Sequence, residues 1–217
     1  MKAKQLKSRG FTLVELSIVL VIIGLIVGGA LTGKQIIKNA QITNAINAIQ
    51  SYEAQFQSYV QNYGAIPGDD DKAKDRFENI FFAVASSNGT LDGSFDSQSD
   101  EDETRLAWAD LRGAGLVKGS GSDASQPINP FGGIYGFQHG AFSDSLSFTS
   151  PVICMNNVPG DAAGAIDARL DDGDINAGSA MAMISTGETG EALDKGDVVT
   201  STNAYEASKT YTICIKM

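Results

Sequence analysis

Hydrophobic and polar positions fall into two regimes along the chain, with the change near residue 64. From Phe11 to Leu31 the run is apolar and holds one charge, Glu15. A stretch of that length would span a bilayer as a helix. From Lys34 to Tyr63 there is no proline. Ile42, Ile46, Ile49, Tyr52, Phe56, Tyr59 and Tyr63 recur at steps of three or four, which keeps one helical face apolar. The opposite face carries Gln41, Asn44, Asn47, Gln50, Gln57 and Gln61. The pattern predicts one continuous helix over Phe11 to Tyr63, about 80 Å long at 1.5 Å per residue. Its first half is apolar all round and its second half is half-buried. Gly64 closes the helix and Pro67 prevents its resumption.

From Ala65 onward the chain turns to glycine, aspartate and serine with short apolar clusters. Phe77, Ile80, Phe81 and Val84 have helical spacing, so Arg76 to Ala85 is expected to be helical. Asn88 to Glu103 is acidic and polar and is expected to be an exposed loop. Thr104 to Val117 reads as a short helix with Leu106, Trp108, Leu111, Leu116 and Val117 inward. Gly119 to Ser125 reads as a flexible linker. Short β-favouring runs follow at 134–137, 146–148, 151–154, 180–184 and 211–215. Tyr211, Ile213 and Ile215 alternate with Thr212, Cys214 and Lys216, as in a half-buried strand. Ala162 to Leu170 reads as a helix. These elements predict an α+β head, an antiparallel sheet laid on the apolar stripe of the long helix. No internal repeat is evident.

The chain has 16 basic and 26 acidic side chains, a formal charge of −10 over 217 residues. Four of the basic residues, Lys2, Lys4, Lys7 and Arg9, precede the apolar run. Without the first ten residues, 12 basic remain against 26 acidic, a balance of −14. Nucleic-acid binding needs a basic footprint, so that class is excluded. The basic cluster ahead of the apolar run predicts a cytoplasmic N-terminus. Residues beyond Leu31 would then be periplasmic or extracellular. In an oxidising compartment the two cysteines, Cys154 and Cys214, are expected to form a disulfide. The loop so closed spans about 60 residues, worth about 4 kcal/mol in the chain-entropy view.

Glu15 is the residue that demands a function. A carboxylate inside a membrane helix costs roughly 2.5–3.5 kcal/mol, and buried charges are tolerated when paired. A cut between Gly10 and Phe11 would create an ammonium at the helix start, with Glu15 the fifth residue after it. A neighbouring copy shifted along the axis could bring its ammonium beside this carboxylate. Gly10-Phe11-Thr12-Leu13-Val14-Glu15 followed by the apolar run resembles the class III leader of type IV prepilins and type II secretion pseudopilins. The resemblance implies a prepilin peptidase that cuts after Gly10 on the cytoplasmic side and N-methylates Phe11. It implies an assembly role for Phe11 and Glu15, and identical or related pilin subunits and an assembly machinery as partners. The competing reading is an ordinary signal peptide or signal anchor. A secretory signal is cut after its apolar region, where Ala30 and Gly33 imitate a site, but that leaves Glu15 unexplained.

The resemblance divides the chain into a leader, residues 1–10; a membrane and filament-core helix, 11–33; an amphipathic helix, 34–64; and an α+β head, 65–217. Gly24, Gly28, Gly29 and Gly33 allow close helix packing or local unwinding. Many type IV pilins carry a proline near Thr32 that this chain lacks. A C-terminal disulfide loop is common in pilins and often missing in pseudopilins. Gly64 to Asp69 and Leu106 to Leu116 resemble pseudopilin segments instead. The expected function is a structural subunit of a type IV pilus or similar filament, or a secretion pseudopilin. The subunit would stand in the bacterial inner membrane before it joins a periplasmic or extracellular filament. A signal-anchored periplasmic binding protein or enzyme is the alternative from another class.

Catalytic patterns are sparse. The sole histidine, His139, reads as loop surface, and no phosphate-cradling glycine loop occurs. No enzyme activity is expected. Calcium is the one cofactor the acidic turns suggest. Asp172, Asp174 and Asn176 place oxygens at alternate positions, and Asn88 and Asp92 do so similarly. Neither loop has the glutamate at its twelfth position. Major pseudopilins bind calcium in a C-terminal loop, which adds weight to the first cluster, while solvated turns are the plainer reading.

Overall fold

A computed structural model describes residues 10–80, 86–141, 148–185 and 204–217. The order is α1 (Leu13–Tyr63), α2 (Ala73–Arg76), α3 (Glu103–Gly113), β1 (Tyr135–Ala141), β2 (Phe148–Pro159), α4 (Gly160–Leu170), β3 (Ala180–Ile184) and β4 (Thr210–Lys216). The fold is α+β and pilin-like, one long apolar N-terminal helix followed by a four-stranded antiparallel sheet. The chain forms two units, Met1–Ala40 and Gln41–Met217. The leader residues Lys2, Lys4, Lys7 and Arg9 lie outside the described residues, as do Phe81, Val84 and Leu146.

In the first unit α1 is largely apolar from Leu13 to Leu31, and Leu13, Leu20 and Leu25 are exposed. In the second unit the same helix becomes amphipathic. Ile42, Ala45, Ile49, Phe56 and Tyr59 are buried, while Asn44, Asn47, Gln50, Gln57 and Gln61 face solvent. Gly64 ends the helix in the left-handed region, its N–H bonded to Val60 O at 2.9 Å.

The sheet order is β1-β2-β4-β3, with every pair antiparallel. Tyr135, Met155, Ile213 and Ala182 form one cross-strand row. This row meets α1, since Tyr52 packs edge-on against both Tyr135 and Trp108. Phe137 then bridges Phe56 of α1 and Trp108 of α3, with ring centroids 5.2 and 4.5 Å away. The next row, Gly136, Cys154, Cys214 and Met181, points to the other face. A Cβ at Gly136 would lie 1.9 Å from Phe95 O, so glycine admits the incoming 94–97 segment. Cys154 and Cys214 are direct partners in the ladder and are joined by a disulfide.

Several sequence expectations are revised. Of the helix expected over 76–85, Arg76 ends the short α2 and Phe77 is already extended, while 81–85 lie outside the described residues. The third expected helix runs from Glu103 and stops at Gly113. Phe148 and the run 151–154 fall within one strand, β2, while 146–147 lie outside the described residues. Strand β4 is buried on both faces from Tyr211 to Ile215, including Thr212. The acidic segment 88–103 is no exposed loop, because Leu91, Phe95, Asp96 and Glu103 are buried. Its backbone donors are taken by carboxylates. Asp69 accepts from Asn88 N and Gly89 N, and Glu103 from Ser86 N and Asp92 N. Gly119 to Ser125 is likewise no free linker, since Arg112 donates to the carbonyls of Asp123 and Ser125 and to that of Lys118 just before it.

A further buried carboxylate ties α3 to the segment after α1. Asp110, 4 % exposed, accepts Gly68 N–H at 2.7 Å. Nearby, Asp70 accepts from Tyr59 OH at 2.8 Å and pairs with Arg76. Burial pushes Asp110 up to about 7, with Asp70 adding to the rise and the Gly68 N–H and Arg76 opposing it.

Two predictions follow from this packing. Cys154→Ala with Cys214→Ala should lower the unfolding free energy by about 4 kcal/mol, by loop entropy. A denaturant titration of the full chain in detergent micelles reads this, and a loss under about 1 kcal/mol would contradict it. Asp110 is protonated in the folded chain up to about pH 7 but ionises at its ordinary, lower value when unfolded. Its contribution to stability is therefore complete at low pH and is lost as pH rises toward neutrality. Asp110→Asn should remove that slope while keeping an acceptor for Gly68. A stability profile between pH 4 and 8 unchanged by the substitution would contradict this.

Candidate assembly site

The start of α1 explains where Glu15 stands. Leu13 is the first helical residue and Thr12 the cap, so Glu15 is the third helical position. Thr12 N–H donates to Glu15 Oε2 at 2.8 Å, and Glu15 N–H donates to Thr12 Oγ1 at 3.3 Å. Thr12 Oγ1–H also donates to Oε2 at 2.8 Å. This reciprocal pair is a capping box, which satisfies donors that a helix start otherwise leaves open. The sequence expectation gave Glu15 one task, pairing between copies. Within a single chain it also caps its own helix, and the Thr12-x-x-Glu15 spacing already carried that signal. Among the described residues Glu15 Oε1 accepts no hydrogen bond.

Gly10 and Phe11 precede the helix, with Phe11 80 % exposed. A Cβ added at Gly10, Gly24, Gly28, Gly29 or Gly33 would meet nothing within 4 Å. Nothing in the described chain therefore requires a small residue at any of these five positions. The helix is long and apolar enough to cross a membrane, and no residue of its most apolar window is buried.

The acidic turns were the other site expected. Asn88 Oδ1 accepts from Thr90 N at 2.8 Å, and Asn88 Nδ2 donates to Asp92 Oδ2 at 3.1 Å. These are local turn bonds. After α4, Asp172 Oδ1 accepts from Asp174 N and Asp174 Oδ1 from Asn176 N. The convergent carboxylates there are Asp167, Asp171 and Asp172, each offering an oxygen within 4.8 Å of the others. Asp167 and Asp171 escaped the sequence reading; Asp167 lies on α4 and Asp171 is the residue that follows its end. Their oxygens already hold the turn. Asp167 accepts from Tyr205 OH at 2.6 Å and Gly173 N at 3.2 Å, and Asp171 from Ser179 N and Ala180 N. Burial raises Asp167 to about 6 against the pull of those donors. His139 lies on β1 opposite Pro151, not in a loop.

Residues 5–31 match a family model described as a prokaryotic N-terminal methylation motif. The matched segment is similar to the class III leader of type IV pilins and pseudopilins. No curated protein matches the chain.

The capping box predicts a measurable local effect. Thr12→Ala should weaken the helix start by about 1 kcal/mol, raising amide exchange at residues 13–16 about five-fold in micelles. Thr12→Ser should keep the protection. Equal exchange in wild type and Thr12→Ala would show that the cap contributes nothing.

Proposed function

We propose that this chain is the precursor of a structural, non-enzymatic subunit of a type IV pilus or pilus-like filament. Prepilin peptidase cuts between Gly10 and Phe11 and methylates the new amine. Until assembly, residues 11–33 hold the subunit in the inner membrane, with the N-terminus cytoplasmic and the head periplasmic. The assembly machinery then packs it, helix against helix, among identical or related subunits.

The observation that carries this reading is register. Glu15 stands five residues into the cleaved chain, inside the matched motif, at the head of a helix whose apolar surface is uncovered. Thr12 holds Glu15 Oε2, and Oε1 stays open to an incoming ammonium. In an apolar setting that ion pair relieves the cost each charge would bear alone. The five unconstrained glycines support the same reading. Gly10 is small for the peptidase, and the other four permit close approach of neighbouring helices.

A secretion pseudopilin is the second reading, favoured by the Gly64 to Asp69 and Leu106 to Leu116 segments. The Cys154–Cys214 bridge favours a pilus. A signal-anchored periplasmic binding protein or enzyme would instead keep an uncut or later-cut N-terminus.

Mass spectrometry of the mature protein should find a methylated Phe11 as the first residue. Glu15→Ala should be cleaved normally and yet lower filament yield about ten-fold or more, since truncating one partner of a buried charge pair costs 2–5 kcal/mol. Wild-type filament yield in that variant would remove the assembly role of Glu15.

A further inference from the structure

Beside the head portion of α1 lies a cleft of about 400 Å³. Ser51, Tyr52 and Gln55 line one side, and Arg112, Lys118 and Pro127 the other. A cavity of this size admits several side chains. Its chemistry is the reverse of the chain's composition. The mature chain has 12 basic against 26 acidic residues, yet two cations meet here. Arg112 is fixed in the wall by its bonds to three carbonyls, with Asp123 Oδ2 3.9 Å away. Lys118 is exposed, and among the described residues no carboxylate pairs with it. Gln55 Nε2 donates to Ser51 Oγ at 3.1 Å, while Gln55 Oε1 is buried with no partner among the described residues.

Ile128, which follows the lining residue Pro127 in the chain, is 78 % exposed. Among the described residues of Gln41–Met217 no other large apolar side chain is so open. Slackness does not explain this exposure. Asn129 Oδ1 accepts from Phe131 N and Gly133 N, and its Nδ2 donates to Ile134 O and Asn156 O. Gln41 Nε2 fastens the same loop to α1 through Pro130 O at 2.9 Å. A side chain displayed on so constrained a loop loses little freedom on binding.

We propose that this cleft and Ile128 form one docking surface for the acidic head of a second copy of this chain. A carboxylate of the copy meets Lys118, an N–H or O–H donor satisfies Gln55 Oε1, and apolar surface covers Ile128. Charge complementarity selects the partner, since every copy presents the surplus of carboxylates that this cleft lacks. The inference rests on the filament reading but is tested apart from it.

A photoreactive amino acid at position 128 of the full chain, irradiated in producing cells, is the probe. The expected product has twice the subunit mass, with the linked peptide drawn from the same chain. Lys118→Glu should lower its yield about five-fold, the scale of one exposed ion pair, and Lys118→Arg should retain it. Absence of a self-adduct, adducts only to other proteins, or indifference to Lys118→Glu would each overturn the proposal. The N-terminus is read on the same samples. A methylated Phe11 without self-adduct removes the cleft contact and keeps the filament reading. An uncut N-terminus with a Lys118-dependent self-adduct does the reverse.

Discussion

An apolar helix that its own chain leaves uncovered sets the terms for the rest of the molecule. Water around residues 13–31 is unfavourable at roughly 25 cal/mol per Å² of apolar surface, so a bilayer or other helices must supply the cover. Either cover turns Glu15 into an energetic problem. The capping box answers part of it, since Thr12 gives the carboxylate two donors without help from another chain. The second oxygen accepts no bond within the described chain, and in the proposed function an amine exposed by cleavage before Phe11 would meet it.

The head handles acidity differently. Asp69, Asp70, Glu103 and Asp110 are buried, where an unpaired carboxylate would be costly. Each is met by donors: backbone N–H groups of 86–92 for Asp69 and Glu103, Tyr59 and Arg76 for Asp70, Gly68 for Asp110. These carboxylates serve as acceptors that fasten irregular backbone to helices α1 and α3. Net negative charge therefore measures two populations, solvated surface groups and internal staples. At Asp110, as at Asp167, desolvation outweighs the donors, which ties head stability to pH.

A rigid sheet makes surface chemistry specific. The β2 bulge places Asn156 beside Asn129, and the pair holds the 129–134 loop that displays Ile128. The disulfide clamps β2 to β4 in the middle of the same sheet. Docking through such a surface would join heads, while in the proposed function the capping-box carboxylate would join helix starts. Charge complementarity would operate in both places, in a dry setting at Glu15 and a wet one at Lys118.

Periodic burial was legible without coordinates, because it follows from local geometry alone. The stripe from Ile42 to Tyr63, the stop at Gly64, α4 and β3 all appear close to where spacing put them. Glu15 stood out because a charge in an apolar run is visible in one dimension, and even its cap was written as Thr12-x-x-Glu15. The fate of the other carboxylates was not legible. Glu103 read as loop surface because the N–H groups that satisfy it lie 11 and 17 residues away. Asp167 and Asp171 were passed over for Asp174 and Asn176 for a similar reason, since convergence after a helix depends on how the chain turns back. Hydrophobic order is a property of neighbours in sequence. A buried charge is decided by whichever donors the tertiary fold brings to it.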